Sequence, residues 1–228
     1  MKNKSSGPRR RGRSSAFSDG AFASSPIRLP RPSLTKAGSV GKALAHRRTT
    51  REMSEAKLPL KTLSNLLWAA NGVNRKKGPF GIPGRTAASA SNSQEIDIYV
   101  LVEEGVYLYD YQFHRLIPIL AGDHRSLAIG EGQSPAAKKA PVHLVYVVDL
   151  DRLVNSQGYQ EPGLKDAEIQ KSYYFADTGM IAGNVYLFAA SEGLAAWFHN
   201  CNRKVLEEKL MLGSDQRALF GQTVGFPQ

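Results

Sequence analysis

The sequence predicts an α+β fold in which helices flank a central mixed or antiparallel sheet. Three observations carry that expectation. Apolar residues recur at helical spacing near 39–49, 59–72 and 165–194. The stretch "EIDIYVLV" (95–102) alternates and is β-branched, the pattern of a strand. The run "APVHLVYVVDL" (140–150) is almost continuously apolar, which suits a central strand buried on both faces.

Taken in order, residues 1–38 are rich in Ser, Pro, Arg and Gly and hold too few large apolar groups to pack. They are expected to form a disordered basic tail ending in an extended arm, because each proline of "IRLPRP" (27–32) disfavours helix before it. The domain proper is expected to span 39–228. Its first helix begins at Ser39 as N-cap and carries Val40, Ala43, Leu44 and Arg47 to about residue 49. In the second, "LPLKTLSNLLWAANGV" (58–73), Pro59 suits the first turn and Gly72 the C-cap, with Leu60, Leu63, Leu66 and Leu67 as the apolar stripe. The proline- and glycine-rich segment 74–95 reads as a long loop, and loops of that length inside a domain are usually functional. A hairpin follows across "EEG" (103–105), joining 95–102 to "GVYLYDYQFHRLIPIL" (105–120). The helical stretch 165–194 carries a small-residue face of Ala176, Gly179, Ile181, Ala182, Val185, Ala189 and Ala190. A last strand is expected in "ALFGQTVGFP" (218–227).

The net charge of +10 is unevenly placed. Residues 1–51 hold thirteen Lys and Arg against Asp19 alone, while the rest of the chain is close to neutral. This argues against a nucleic-acid-binding fold, whose basic face belongs on the folded domain. The single cysteine, Cys201, excludes an internal disulfide and a cysteine-based zinc site. No stretch reaches the roughly 20 apolar residues of a membrane span. The opening "MKNKSSGPRRRGRSS" has arginine pairs but no apolar run of the kind an export signal needs, so a cytoplasmic protein is expected. A degenerate twin-arginine-like leader is the alternative.

No catalytic triad can be assembled. His143 reads as a satisfied core group within the buried strand, and His46 and His114 as surface residues. His199 and Cys201, which flank Asn200, fall in a loop after a helix and make only a weak metal pattern. "HRRTTREM" (46–53) is stronger. The planar guanidinium fork donates two parallel hydrogen bonds to phosphate and stays charged at all working pH values. Arg47 and Arg51 would share one helical face if the helix continued, with Thr49 between them. Arginines at a helix C-terminus equally serve the macrodipole, so both readings stand.

Several segments together resemble the flavin-dependent nitroreductase superfamily. They are "LAHRRTTREMSE", "LKTLSNLLWAANGVNR", "GRTAASASNSQEIDIYVLV", "FADTGMIAGNVYLFAASEGLAAWFHNCN" and "LFGQTVGFP", in that order. The long "LLWAANGVNR…GRTA" segment and the "EEGVYLYDYQFHRL" hairpin resemble the branch of thiazole- and oxazole-forming peptide dehydrogenases. The resemblance implies an α+β homodimer binding FMN at the subunit interface. By position, Arg47, Arg48 and Thr49 would hold the FMN phosphate and ribityl chain, and Arg51 would sit near flavin N1 and O2. Ser89, Ser91 and Asn92 would reach the flavin from the partner chain, and His199 and Asn200 match the turn facing the ring near N5. Members often carry basic residues after the last strand. Here "GFP" is followed only by Gln228, so the phosphate would fall to Arg47 and Arg48 alone or to another lysine or arginine. The implied activity is ping-pong hydride transfer from NADH or NADPH to a small acceptor such as a nitroaromatic or quinone, with no nucleic acid and no membrane span. Dehydrogenation of a peptide heterocycle and non-catalytic flavin carriage are the alternatives.

Overall fold

A computed structural model describes residues 25–33, 38–130, 132–133, 135–158 and 162–228. The tail at 1–24 and residues 34–37 of the expected arm lie outside the described residues. The expected α+β class holds. Seven strands form one sheet: β1 (Ile27–Arg28), β4 (Ile96–Val102), β5 (Gly105–Asp110), β6 (Arg115–Ala121), β7 (Val142–Asp149), β8 (Ala195–His199) and β9 (Gln216–Gly225). Their order is β1-β6-β5-β4-β7-β9-β8, and every pairing is antiparallel. A separate ribbon pairs β2 (Val73–Arg75) with β3 (Gly84–Arg85). The helices are α1 (Val40–His46), α2 (Leu60–Asn71), α3 (Leu150–Val154), α4 (Ala167–Ser191) and α5 (Arg203–Lys209).

The strand patterns explain the layers. Side chains alternate across a strand, so Ile96, Ile98 and Val100 of β4 join Leu144, Tyr146 and Val148 of β7 on one face. There they pack against Leu63, Leu66 and Leu67 of α2 and Ile181, Val185 and Phe188 of α4. Tyr99, Leu101, Val145 and Val147 point the other way and are covered by Leu206 of α5 and by Leu210. The apolar run 142–148 is thus buried on both faces, as its lack of alternation requires.

The arm is extended and anchored. Ile27 and Arg28 pair with Leu116 and Arg115, and Leu29 is buried. Asn65 of α2 closes two hydrogen bonds with the Ser33 backbone, at 3.0 and 2.8 Å. Ser64 donates to the Pro30 carbonyl and Lys61 to that of Arg31.

Four expectations need correction. The first helix ends at His46, not near 49, because the chain leaves it to bond the sheet edge: Thr50 N–H donates to the Ala196 carbonyl and Ser54 N–H to that of Phe226. Arg47 and Arg51 therefore share no helical face. His199, read in a loop after a helix, instead ends strand β8, whose alternation was hidden by the apolar helix before it. Of the small-residue face, Ile181, Ala182, Val185 and Ala189 enter the core, whereas Ala176 and Gly179 are exposed. His114 is not a free surface residue: its ring bonds Ser64 Oγ at 2.8 Å and the Tyr109 hydroxyl at 2.9 Å.

Candidate functional site

After α1 the segment 47–51 has no regular secondary structure, and three of its side chains meet aromatic groups of α4 and β8. Arg47 lies over the Tyr186 ring at 5.3 Å, Thr49 Oγ1 bonds the Tyr186 hydroxyl at 3.1 Å, and Arg51 lies over the Trp197 ring at 5.6 Å. The Tyr186 hydroxyl also accepts from Phe198 N–H at 2.8 Å, which fixes α4 against β8 beneath this row. Among the described residues none of Arg47, Arg48 and Arg51 forms an ion pair. Arg47 and Arg48 line a cavity of about 370 Å³ together with Lys42, His46, Thr50 and Tyr186. Three exposed cations and an imidazole thus face one hollow with no carboxylate among its lining residues.

His199 ends β8 and is 5 % exposed. Its ring packs at a 49° tilt against Trp197, centroids 4.5 Å apart, linking it to Arg51 through one aromatic. Both ring nitrogens are engaged within the chain, and the partners set the tautomers. Nδ1 faces the Asn200 carbonyl at 2.8 Å, an acceptor, so Nδ1 donates and Nε2 accepts from Thr223 Oγ1 at 2.8 Å. Thr223 in turn accepts from His143 Nδ1 at 3.0 Å, leaving the buried His143 Nε2 unpartnered. Burial pushes His143 down to about 3 and lowers His199 as well, so both rings are neutral at neutral pH. His143 is therefore a core histidine satisfied on one side only. Gly221 is required here, since a Cβ would meet the His199 ring at 2.5 Å. Cys201 is buried and free. Among the described residues no group of three His, Cys, Asp or Glu side chains comes together to hold a metal.

Ser89, Ser91 and Asn92 sit on a separate loop, held to α4 at a different level. Ala90 N–H donates to Asp177 Oδ2 at 2.8 Å, and Ser89 Oγ accepts from Gln94 N–H at 3.0 Å. Ser91, Asn92 and Gln94 all have left-handed φ, at 50°, 53° and 54°. Asp177 and Tyr186 are nine residues apart on α4, roughly 14 Å at 1.5 Å per residue. One chain therefore brings Arg47, Arg48, Thr49, Arg51 and His199 together with Asn200 next to it, and holds Ser89, Ser91 and Asn92 away from them.

Sequence reasoning missed the supports. Tyr186, Trp197 and Lys42 gave no signal, being ordinary members of apolar or basic runs. Asp177 and Glu95, 3 % and 0 % exposed, form a buried carboxyl pair below the 89–94 loop. Burial and the facing Glu95 push Asp177 up to about 8. Ser93 Oγ donates to Glu95 Oε2 at 2.6 Å, whereas Glu95 Oε1 has no donor. A hydrogen bond to Glu95 also favours the protonated form of Asp177.

A model of the nitroreductase family matches residues 44–226. The chain belongs to that family. A protein of Methanocaldococcus jannaschii named as a nitroreductase is 31 % identical to it over 178 residues, 73 % of this chain and 83 % of the relative. A crystal structure of a nitroreductase-type protein from Ralstonia eutropha shares 36 % identity and a TM-score of 0.77, covering 89 % of this chain and 90 % of that one. At lower identity the likeness is one of nitroreductase fold alone. A chain of the Escherichia coli microcin synthetase McbBCD complex aligns at 17 %, TM-score 0.66, over 100 % of this chain and 85 % of that one. The NADPH:FMN oxidoreductase of Vibrio harveyi aligns at 18 %, TM-score 0.58, over 83 % and 69 %. As a member of the nitroreductase family the chain is an oxidoreductase of flavin type. Among the described residues no helix is long and apolar enough to cross a membrane.

Proposed function

We propose that residues 39–228 form an FMN-dependent NAD(P)H oxidoreductase domain, active as a homodimer with small flat acceptors such as nitroaromatics or quinones. The observation that carries this is the row Arg47, Thr49 and Arg51 laid over Tyr186 and Trp197, cationic and paired with no carboxylate among the described residues. That donor set fits a flavin mononucleotide. Bound FMN would supply the two-electron chemistry, accepting hydride from NADH or NADPH and passing it to the acceptor.

The chain's own residues would bind and tune. Arg47 and Arg48 would hold the phosphate, and Lys42, which lines the same cavity, is the lysine that takes the place of basic residues after the last strand. Thr49 would orient the ribityl chain from its bond to Tyr186. Arg51, supported on Trp197, would sit near flavin N1 and O2, where a fixed cation stabilises negative charge developing on reduction. His199 is buried, so its part would be to position Asn200 beside the ring. Ser89, Ser91 and Asn92 would serve the partner's flavin, which agrees with their separation from the arginine row. The outer face of α4 favours the homodimer: Phe175 and Met180 are 38 % and 41 % exposed, and beside Gly179 and Gly183 there is open space.

Purified protein should be yellow with an FMN spectrum that NADPH bleaches anaerobically. A colourless protein that takes up no FMN would end this reading. A second reading is favoured by the full-length likeness to the microcin synthetase chain, a complex solved with truncated pro-MccB17 bound: dehydrogenation of a peptide heterocycle. In that case the flavin would be bound but not reduced by either nicotinamide, and oxygen would reoxidise it.

A further inference from the structure

His143, Thr223 and His199 form one hydrogen-bonded chain across three neighbouring strands. β9 sets Thr223 opposite His143 of β7 on one side and opposite Trp197 of β8 on the other. His199 follows Trp197 by two residues and so shares its face of the sheet. All three members of the chain are buried. Donation runs in one direction. His143 Nδ1–H donates to Thr223 Oγ1 at 3.0 Å, the Thr223 hydroxyl to His199 Nε2 at 2.8 Å, and His199 Nδ1–H to the Asn200 carbonyl at 2.8 Å. Accepting from His143 leaves the single hydroxyl proton of Thr223 for His199, which keeps the His199 proton on Nδ1. Hydrogen bonds in such a series polarise and strengthen one another. The arrangement carries a cost, because His143 Nε2 is buried without a partner, although nearly all such groups in folded proteins have one. Local departures of that kind are expected where a core serves a site.

The far end of the chain meets the site in two places. The Asn200 carbonyl accepts from Gly130 N–H at 3.3 Å as well as from His199. With that oxygen held toward the His199 ring, the N–H of the same planar peptide, on Cys201, faces the opposite way. The His199 ring also packs against Trp197, the aromatic beneath Arg51. We propose that His143 and Thr223 are positioning residues of the flavin site, which through His199 fix both the Asn200–Cys201 peptide and the Trp197 seat of Arg51. This rests on the flavin reading above, in which Asn200 would lie near N5 and Arg51 near N1 and O2.

Thr223→Val removes the hydroxyl and keeps the branched shape, whereas Thr223→Ser keeps the hydroxyl. In the valine variant the maximal anaerobic rate of flavin reduction by NADPH should fall about tenfold, with FMN content and the half-saturating NADPH concentration within about twofold of wild type. The N5 resonance of 15N-labelled FMN, which a merely structural role would not move in the folded variant, should shift. The serine variant should recover both. An unchanged rate or N5 resonance in Thr223→Val overturns the proposal, as does a serine variant no better than the valine one. Should Thr223→Val fail to fold, imidazole 15N spectra of the wild type decide: a His199 proton on Nδ1 supports the chain, and one on Nε2 overturns it. If the wild type holds no FMN, the flavin reading has failed, and the Asn200 carbonyl-carbon resonance of the apoprotein decides the relay. A shift in the valine variant that the serine variant reverses supports it; an unmoved resonance overturns it.

Discussion

Asp177→Asn tests the buried carboxyl pair. In the wild type, burial and Glu95 raise Asp177 from its ordinary value of 3.8 to about 8. Between those values the folded protein keeps a proton that the unfolded chain has released. Stability therefore falls as pH rises through that window, at up to about 1.4 kcal/mol per unit for one proton, and levels off above it. Asparagine does not titrate. It can still accept from Ala90 N–H through Oδ1 and donate Nδ2–H to Glu95 Oε1, the oxygen that lacks a donor. From pH 5 to pH 7 the wild type should lose on the order of 2 kcal/mol more than the variant, slightly under the one-proton ceiling for two units. Urea unfolding at pH 5, 6 and 7, at fixed protein and flavin concentrations, measures this. Parallel stability curves for the two proteins would show that Asp177 is ionised in the fold and refute the shared proton.

Three further outcomes follow from the same geometry. Arg51→Ala, which removes the cation over Trp197, should slow flavin reduction by NADPH about tenfold or more, as loss of a fixed charge near the reacting ring does, while FMN content stays within about twofold. Equal loss of both would count against its tuning role. Met180→Asp places a charge on the exposed face of α4 and should give monomers without FMN by light scattering and absorbance; a yellow dimer would move the interface elsewhere. In NMR spectra His143 should remain the neutral Nδ1–H tautomer down to pH 5, since its value is pushed down to about 3, and a titration near pH 6 would contradict the chain through Thr223 to His199.

Most of the fold was legible because its periodicities are strong. Ser39 caps α1 as expected, accepting from Lys42 N–H, and Pro59 and Gly72 bracket α2. The almost continuously apolar run at 142–148 correctly gave the central strand. What failed was local pattern overridden by tertiary pairing. Nothing in "HRRTT" stops a helix; the bonds from Thr50 and Ser54 to β8 and Phe226 do. Strand β8 was masked because "LAAWF" continues the composition of the helix preceding it. At the site, the basic cluster could be read from the chemistry of arginine. Its aromatic supports could not, since Tyr186 lies 137 positions from Thr49 and only folding joins them. The buried Asp177–Glu95 pair was invisible for the same reason, a carboxylate in sequence carrying no mark of its future burial.

The sheet order has an electrostatic consequence. The anchored arm carrying Arg28 and Arg31 lies at the β1 edge, and the Arg47–Arg51 row is stitched to β8 at the opposite edge. Six strand spacings of about 4.8 Å separate these edges by roughly 30 Å. The screening length at physiological ionic strength is about 8 Å. The described basic residues at these two edges therefore generate two independent fields. A polyanion drawn to the arm would neither compete with a phosphate at Arg47 and Arg48 nor assist its capture.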